Sequence, residues 1–411
     1  MTVLTCPSGP PAVLTWGADA LLSGARDTGH VPLVEHELLH GALRADAART
    51  LAADVASVRL LGRGGAAFPV ATKLAGVAPG SDVRVVVNGS EGEPASWKDR
   101  VLMRRVPHLV LDGVVVVAEA LRTTHAVVAV HDPQAAEALR AALVERTDAH
   151  HVRVVDAAGT FVGGEARSLV NRLSGSAPVP GGRRTLPTVH GVDGHPTFLS
   201  NVETFAQLGL LGRRGPAGFA SVGTLDEPGS TLATLLGDVP HPGVVEVPHG
   251  RRVADLVGGA DRTVLLGGYH GRWTKAGDLL VDRAALRARG ATWGAGVVAV
   301  LPGATCPVGE VARVARWLAG ESAGQCGPCV FGLDSLASDV EGLAANAPVD
   351  LSRLSRRLGL VRGRGACAHP DGAVGFLASA LTAFADDVAV HATGRGCGRP
   401  TLGVLPTGAE R

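Results

Sequence analysis

From about residue 55 to residue 222, short apolar runs alternate with helix-like segments, and nothing else in the chain limits its fold as much. Residues 83–88, 126–131 and 152–156 read as strands, and 106–121 and 133–146 read as helices. Strands joined by crossover helices pair in parallel, because each helix carries the chain back to the edge where the previous strand began. The expected class is α/β, with a Rossmann-like sheet. In such a sheet ligands gather at the carboxyl ends of the strands.

Gly62-Arg63-Gly64-Gly65-Ala66-Ala67-Phe68-Pro69 precedes the first of these strands. Three glycines in four positions permit positive φ and let backbone approach a ligand closely. Arg63 adds a cation, and Pro69 suits the first turn of a helix carrying Lys73. Backbone N–H groups in such a loop favour an anion, typically a phosphate. After the strand at 83–88 comes Asn88-Gly89-Ser90-Glu91-Gly92-Glu93-Pro94, then Trp97-Lys98-Asp99-Arg100. This places two carboxylates in a turn at a strand's C-terminal end.

These two stretches resemble the F-type (51 kDa) flavin- and NADH-binding subunit of respiratory NADH dehydrogenase and of bidirectional hydrogenases and formate dehydrogenases. That family carries G-R-G-G-A-G-F-P and N-x-D-E-G-E-P-G-x-x-K-D-R. The resemblance extends to about residue 390, with His195-Pro196-Thr197-Phe198-Leu199-Ser200-Asn201-Val202-Glu203-Thr204 standing where the family has a segment ending N-N-V-E-T. It implies an FMN-binding domain, a small β-grasp (SLBB-like) module and a C-terminal helical iron–sulfur bundle. The implied FMN contacts are Gly62, Arg63, Gly64, Lys73, Asn88, Glu91, Gly164, Glu165 and Asn201. Backbone amides and cations serve the phosphate, and polar groups serve the ring edge and ribityl hydroxyls.

The implied NADH site departs from the pattern. Of the family's aromatic positions only Phe68 is kept, while Gly76 and Leu186 stand at the others. A nucleotide-holding Glu is replaced by Ala166, and an Asp by Ser90. Glu93, also the candidate catalytic group, and Arg183 remain as nucleotide contacts. Each lost stacking surface is worth about 0.5–1.5 kcal/mol, and charge-assisted hydrogen bonds more.

Cys326-Gly327-Pro328-Cys329 and the remote Cys367 have the spacing of metal or cluster ligands. The resemblance makes them the second, third and fourth thiolates of a [4Fe–4S] motif, E-S-C-G-x-C-x-P-C plus a later cysteine. Ala323 occupies the first position and ligates nothing. Four outcomes follow: a [4Fe–4S] cluster completed from elsewhere, a [3Fe–4S] cluster, a Cys₃His zinc site using His369, or a relic of free thiols. Cys306 reads as a buried non-ligand; Cys6 and Cys397 lie in expected flexible ends.

The expected organisation is an arm at 1–54 with a helix over 42–55, the FMN domain at 55–225, the β-grasp module at 226–305, the iron–sulfur domain at 306–391 and a flexible tail at 392–411. A helix over 166–173 is expected to follow Gly164-Glu165, and the Pro/Gly/Arg-rich loop at 174–187 to lie over the site. A formal charge of +1 gives no reason to expect nucleic acid as a partner. No signal peptide is read at the start, and the longest apolar run, at 109–121, holds Asp112 and Glu119 and is too short to span a bilayer. Six clustered cysteines fit metal or redox chemistry in a reducing cytoplasm, where thiols stay reduced. The function expected is transfer of electrons from FMN, with NADH as donor, through a cluster to a ferredoxin-like partner, in the cytoplasm or peripheral to a membrane complex. Alternatives are a flavin subunit without NADH binding and a non-catalytic assembly subunit.

Overall fold

The computed structural model describes residues 12–15, 20–80, 82–182 and 186–408. Among them, ten strands form two sheets: β1 (Val13–Thr15), β2 (Arg84–Gly89), β3 (Ala126–Val130), β4 (Val152–Asp156), β5 (Thr197–Asn201), β6 (Ser230–Gly237), β7 (Gly243–Pro248), β8 (Thr263–Leu266), β9 (Arg272–Lys275) and β10 (Val297–Val300). The first sheet has the order β4-β3-β2-β5 and every pairing in it is parallel. The chain winds outward from β2 to β4 and then returns to the other side of β2 as β5. A switch point therefore lies between β2 and β5, where Asn88 and Asn201 are register partners at the C-terminal edge.

Helices Pro107–Ala120 and Val202–Phe219 cover one face of this sheet. They touch backbone to backbone: a Cβ on Gly113 would lie 1.9 Å from the Phe205 carbonyl oxygen, and one on Gly209 would lie 2.3 Å from that of Leu109. No side chain fits at that crossing, so the glycines set the interhelical distance. Under it, Asp112 is fully buried with His36 at 2.7 Å and Arg146 at 2.7 Å. The helix expected over 42–55 forms as Ala47–Ser57, and a further helix, Leu33–His40, precedes it in the arm. Gly41, at φ 75°, ends the first of them and leaves a turn before the second.

The second sheet runs β1-β7-β6-β10-β8-β9 in mixed directions. Its first strand comes from the N-terminal arm, pairing parallel to β7 with Val13 opposite Val244. Glu246 fastens the same arm, accepting the N–H groups of Ala20, Leu21 and Leu22 at 2.9–3.1 Å. Beyond β10, helices Pro307–Gly320, Asp334–Ala344, Leu351–Val361, His369–Ala383 and Ala385–Ala392 pack around Leu336, Leu354, Val374 and Phe376.

The segment after residue 392 corrects the expectation of a flexible tail over its described part. Leu405 is fully buried, Pro406 accepts a 2.6 Å hydrogen bond from the Tyr269 hydroxyl, and the Glu310 carboxylate accepts the N–H groups of Gly403 and Leu405. Its Gly, Arg and Pro content suggested mobility, but the partners that hold it come from far upstream. Among the described residues no single helix is long and apolar enough to cross a membrane.

Candidate functional site

A cavity of about 580 Å³ opens at the C-terminal edge of the parallel sheet, beside the β2/β5 switch point. The glycine loop forms one wall. Gly62 N–H bonds to the Phe68 carbonyl, and Leu61 bridges Pro69, so residues 62–68 form a closed turn. Gly65 has φ 91°, which an L side chain would resist. The N–H groups of Gly64, Gly65, Ala66 and Ala67 have no acceptor among the described residues. Next to them the Lys73 ammonium reaches only the Leu199 carbonyl, at 2.8 Å, with no carboxylate in ion-pair range among the described residues. Burial lowers the Lys73 ammonium to about 8. Unspent N–H groups and an uncompensated cation are what a phosphate requires, so the residues present fit the anionic end of FMN.

Of the residues expected at the flavin, several line the cavity while their side chains are spent elsewhere. The Arg63 guanidinium is turned away into the protein, donating to the Ser230 carbonyl at 3.2 Å with Glu203 at 3.8 Å and Glu227 at 3.6 Å. Its N–H holds the loop to Thr204 at 2.9 Å. Burial, with Arg283 close by, lowers Arg63 to about 9. Glu91, at φ 37°, accepts from the Asp99 and Arg100 N–H groups and from Arg100 Nε, so it caps helix Lys98–Arg105. Glu165 caps Ala166–Leu173 through the N–H groups of Arg167 and Ser168. Asn201 caps Val202–Phe219. Asn88 donates to the Gly164 carbonyl at 2.8 Å. The expected contacts are thus brought together, largely as a frame that fixes backbone around the cavity.

Lys98 and Asp99 also line the cavity, and Glu203 stands behind them. Lys98 Nζ lies 2.8 Å from Asp99 and 3.0 Å from Glu203, with all three buried. Burial alone would lower the Lys98 ammonium, but Asp99 and Glu203 raise it above its usual value. Burial pushes Asp99 up to about 6 against the pull of Lys98. The Lys-Asp-Arg motif named these residues without revealing that Glu203 joins them.

On the nucleotide side, Phe68 lines the cavity and is 43% exposed. Leu186 is 56% exposed, Ala166 lines the wall, and Gly76 faces Thr188. Arg183 lies outside the described residues. Glu93 is no free base: its carboxylate accepts the N–H groups of Tyr269 at 2.7 Å and Ala95 at 3.3 Å. That geometry pins the β2 turn to the second sheet.

The opposite wall of the same cavity is formed by Phe161, His270, Cys367, Ala368 and His369. Cys329 and Cys367 are buried and Cys326 half-buried; the Cys326 sulfur is hydrogen-bonded by the Ala366 and Cys329 backbone, and that of Cys329 by the Ser322 hydroxyl. Burial pushes the Cys329 thiol up to about 11. Three thiols from two segments converge, a donor set that fits three corners of a cluster. His369 does not complete a zinc site with them. Its Nε2 bonds to the Leu318 carbonyl at 2.9 Å and its Nδ1 to His270 at 3.1 Å, so both ring nitrogens are engaged. Sequence reasoning missed His270 and Phe161, whose rings meet edge to face at 4.6 Å between the cavity and the helical bundle.

A phosphate-ready loop on one wall of the cavity, and on the other Cys367, which stands with Cys326 and Cys329 as a set of cluster thiols, define a flavin- and iron–sulfur-dependent electron-transfer oxidoreductase. A family model described as the Nuo51 FMN-binding domain matches residues 55–209, and one described as the NADH-ubiquinone oxidoreductase-F iron–sulfur binding region matches residues 310–391. The chain is 31% identical to the F-type subunit of NADH-quinone oxidoreductase from Streptomyces coelicolor, over 82% of each chain. It is 32% identical to that of Mycobacterium tuberculosis, over 82% of this chain and 83% of the relative. The chain belongs to the family of F-type subunits of NADH-quinone oxidoreductase. Its fold is also similar to a solved NAD⁺-reducing [NiFe]-hydrogenase in the air-oxidized state, with TM-score 0.79 and 26% identity over 92% of this chain and 72% of that one. The H₂-reduced state gives TM-score 0.76 and 28% identity over 88% and 67%. The cofactors are accordingly FMN and an iron–sulfur cluster, and the relatives are subunits of multi-subunit redox complexes.

Proposed function

We propose that this chain is the electron-entry subunit of a redox complex, with a weakly held nicotinamide nucleotide as donor and a ferredoxin-like protein as acceptor. Bound FMN supplies the exchange between two-electron and one-electron chemistry, and a bound cluster supplies the one-electron exit. The observation that carries this reading is the single cavity lined by both Gly64 and Cys367. Electrons then need cross no intervening domain.

In this reading the N–H groups of residues 64–67 and Lys73 hold the flavin phosphate. Gly62, Arg63, Asn88, Glu91, Gly164, Glu165 and Asn201 hold the surrounding backbone. Lys98 and Asp99 present a buried charge pair to the flavin. Phe68 supplies the one aromatic surface for a nucleotide, with Arg183 and Glu93 assigned to its neighbourhood. Cys326, Cys329 and Cys367 hold the cluster. The reading divides the chain at about 54, 225, 305 and 391, as the two sheets and the helical bundle suggest, although β1 from the first segment serves the second sheet. The site works at the periphery of a larger complex.

The test is anaerobic stopped-flow mixing with NADH, following flavin absorbance. Slow bleaching that saturates only at high NADH supports the proposal. A second reading, a reduced protein as donor, is favoured by Leu186, Gly76 and Ala166 standing where a nucleotide would need a ring or a carboxylate. It predicts flavin reduction by a reduced ferredoxin-type protein and none by NADH.

A further inference from the structure

Cys306, His391 and Cys397 meet at the end of the helical bundle remote from the CxxC loop. One ligand atom from each lies within 4.8 Å of the other two. Cys306 caps the N-terminus of helix Pro307–Gly320, whereas Cys326 follows its C-terminus. A helix of 14 residues is about 20 Å long, so this group is separate from Cys326 and the thiols beside it. We propose that Cys306, His391 and Cys397 bind a single zinc ion that ties residues 393–408 to the bundle.

Three geometric features support the assignment. The spacing suits one ion: zinc holds S and N ligands at about 2.0–2.3 Å in a tetrahedron, which sets them roughly 3.3–3.8 Å apart. Cys306 Sγ is 3.3 Å from His391 Nε2. A cubane would spread its cysteine sulfurs over separate irons, farther apart than this.

The histidine is also oriented as a ligand. His391 Nδ1 lies 2.9 Å from the Leu343 carbonyl, so Nδ1 carries the proton. The Nε2 lone pair lies 3.3 Å from Cys306 Sγ and accepts the Cys397 N–H at 3.3 Å, the one protein hydrogen bond that a bound ion must displace. A backbone carbonyl behind the ring is the usual second partner of a metal-bound histidine. Cys306 Sγ in turn accepts the Gly309 N–H at 3.3 Å, which fixes the sulfur at the helix N-terminus beside the imidazole.

The position gives the ion a purpose. The three ligands come from the start of one helix, the end of helix Ala385–Ala392 and the segment that follows it. Cys306 and His391 are buried and Cys397 only partly so, which leaves the fourth position open to water on the Cys397 side. Binding replaces two S–H bonds by two Zn–S bonds, and both protons go to solvent. The closed strap then carries Leu405 into the core and Pro406 to Tyr269.

The test is metal analysis of the full-length protein purified anaerobically with a thiol reductant. Expected is about one zinc per chain, kept when Cys326, Cys329 and Cys367 are all changed to Ser and lost in C397S with FMN content unchanged. Zinc lost with Cys326, Cys329 and Cys367 but kept in C397S would overturn the proposal. So would a reduced wild-type protein that carries no zinc and takes none up, or a peptide map showing Cys306 disulfide-bonded to Cys397. Should C397S misfold, the protein with Cys326, Cys329 and Cys367 changed to Ser still decides: after chelation, added Co²⁺ gives intense thiolate-to-cobalt absorption if the site exists and none if it does not. Failure of this proposal leaves the flavin and cluster reading untouched, because neither uses these residues.

Discussion

Glu93 and the backbone N–H of Tyr269 are joined across the two sheets by a 2.7 Å hydrogen bond. The glycine beside it is fitted to the same contact, since a Cβ on Gly268 would lie 2.5 Å from Glu93 Oε2. The carboxylate that the sequence offers as a catalytic group lines the cavity and also fastens its turn to the module next to it.

Glu93→Ala is expected to destabilise the protein by about 1–3 kcal/mol, the cost of leaving buried N–H groups without a partner. Denaturant unfolding measures this, with FMN retention read in parallel. Glu93→Gln, which keeps one strong acceptor of two, should lose less. A Glu93→Gln protein of wild-type stability that has lost turnover would restore the catalytic assignment.

The Lys73 ammonium, lowered by burial to about 8, gives FMN affinity a pH dependence. Below that pH the side chain is charged and attracts the phosphate; above it the charge is lost and affinity falls. For the flavin-free protein the sign is opposite. Between about 8 and the ordinary value near 10.4 the unfolded chain binds the extra proton, so stability rises with pH there. Lys73→Met should flatten both profiles, as measured by flavin fluorescence titration and thermal unfolding.

Breaking the Lys98–Glu203 contact, 3.0 Å long and buried, should be costly. Glu203→Gln leaves Lys98 and Arg63 with less compensation, and removing one partner of a buried pair costs about 3–5 kcal/mol. Chemical denaturation is the measurement, and a loss below about 1 kcal/mol would place the pair in the class of exposed ion pairs.

Nucleotide affinity should respond to the two positions where the family pattern is broken at the rim. A166E with L186F adds a carboxylate and a stacking ring, and an improvement in NADH affinity of about tenfold or more is expected. No improvement would favour the protein-donor reading.

Ala323→Cys supplies a fourth thiolate beside Cys326, Cys329 and Cys367. Anaerobically reconstituted wild-type protein should lose one iron in air and give the EPR signal of a three-iron cluster, while A323C keeps four. Equal oxygen stability in the two would show that another group already fills the fourth corner.

Local patterns were legible where backbone alone decides them. The alternation of strands and helices gave the parallel sheet, the glycine loop gave one wall of the cavity, and the cysteine pattern gave the thiols of which Cys367 lines the other. Side-chain direction was not legible. Arg63 points to Glu203 and Glu227, which lie more than a hundred residues downstream, and no local signal records that they are waiting for it. His270 was hidden for the same reason, since it becomes a wall of the cavity only when its module folds against His369. Composition misled at the C-terminal segment, because Gly and Pro mark a lack of helix and not a lack of partners.

The pairing of Val13 with Val244 sets a schedule for the chain as it is made. The first described strand has no partner until more than 230 further residues have emerged from the ribosome. At the ordinary pace of about 5–20 residues per second, that is a wait of roughly ten to fifty seconds. Through that interval Val13 and Leu14 are an unpaired edge for chaperones to shield, and the parallel sheet can close before the arm finds its place. Deleting β1 alone should thus spare the early-folding half, which the rest of the arm joins through His36, and strand the later one with an open edge at β7.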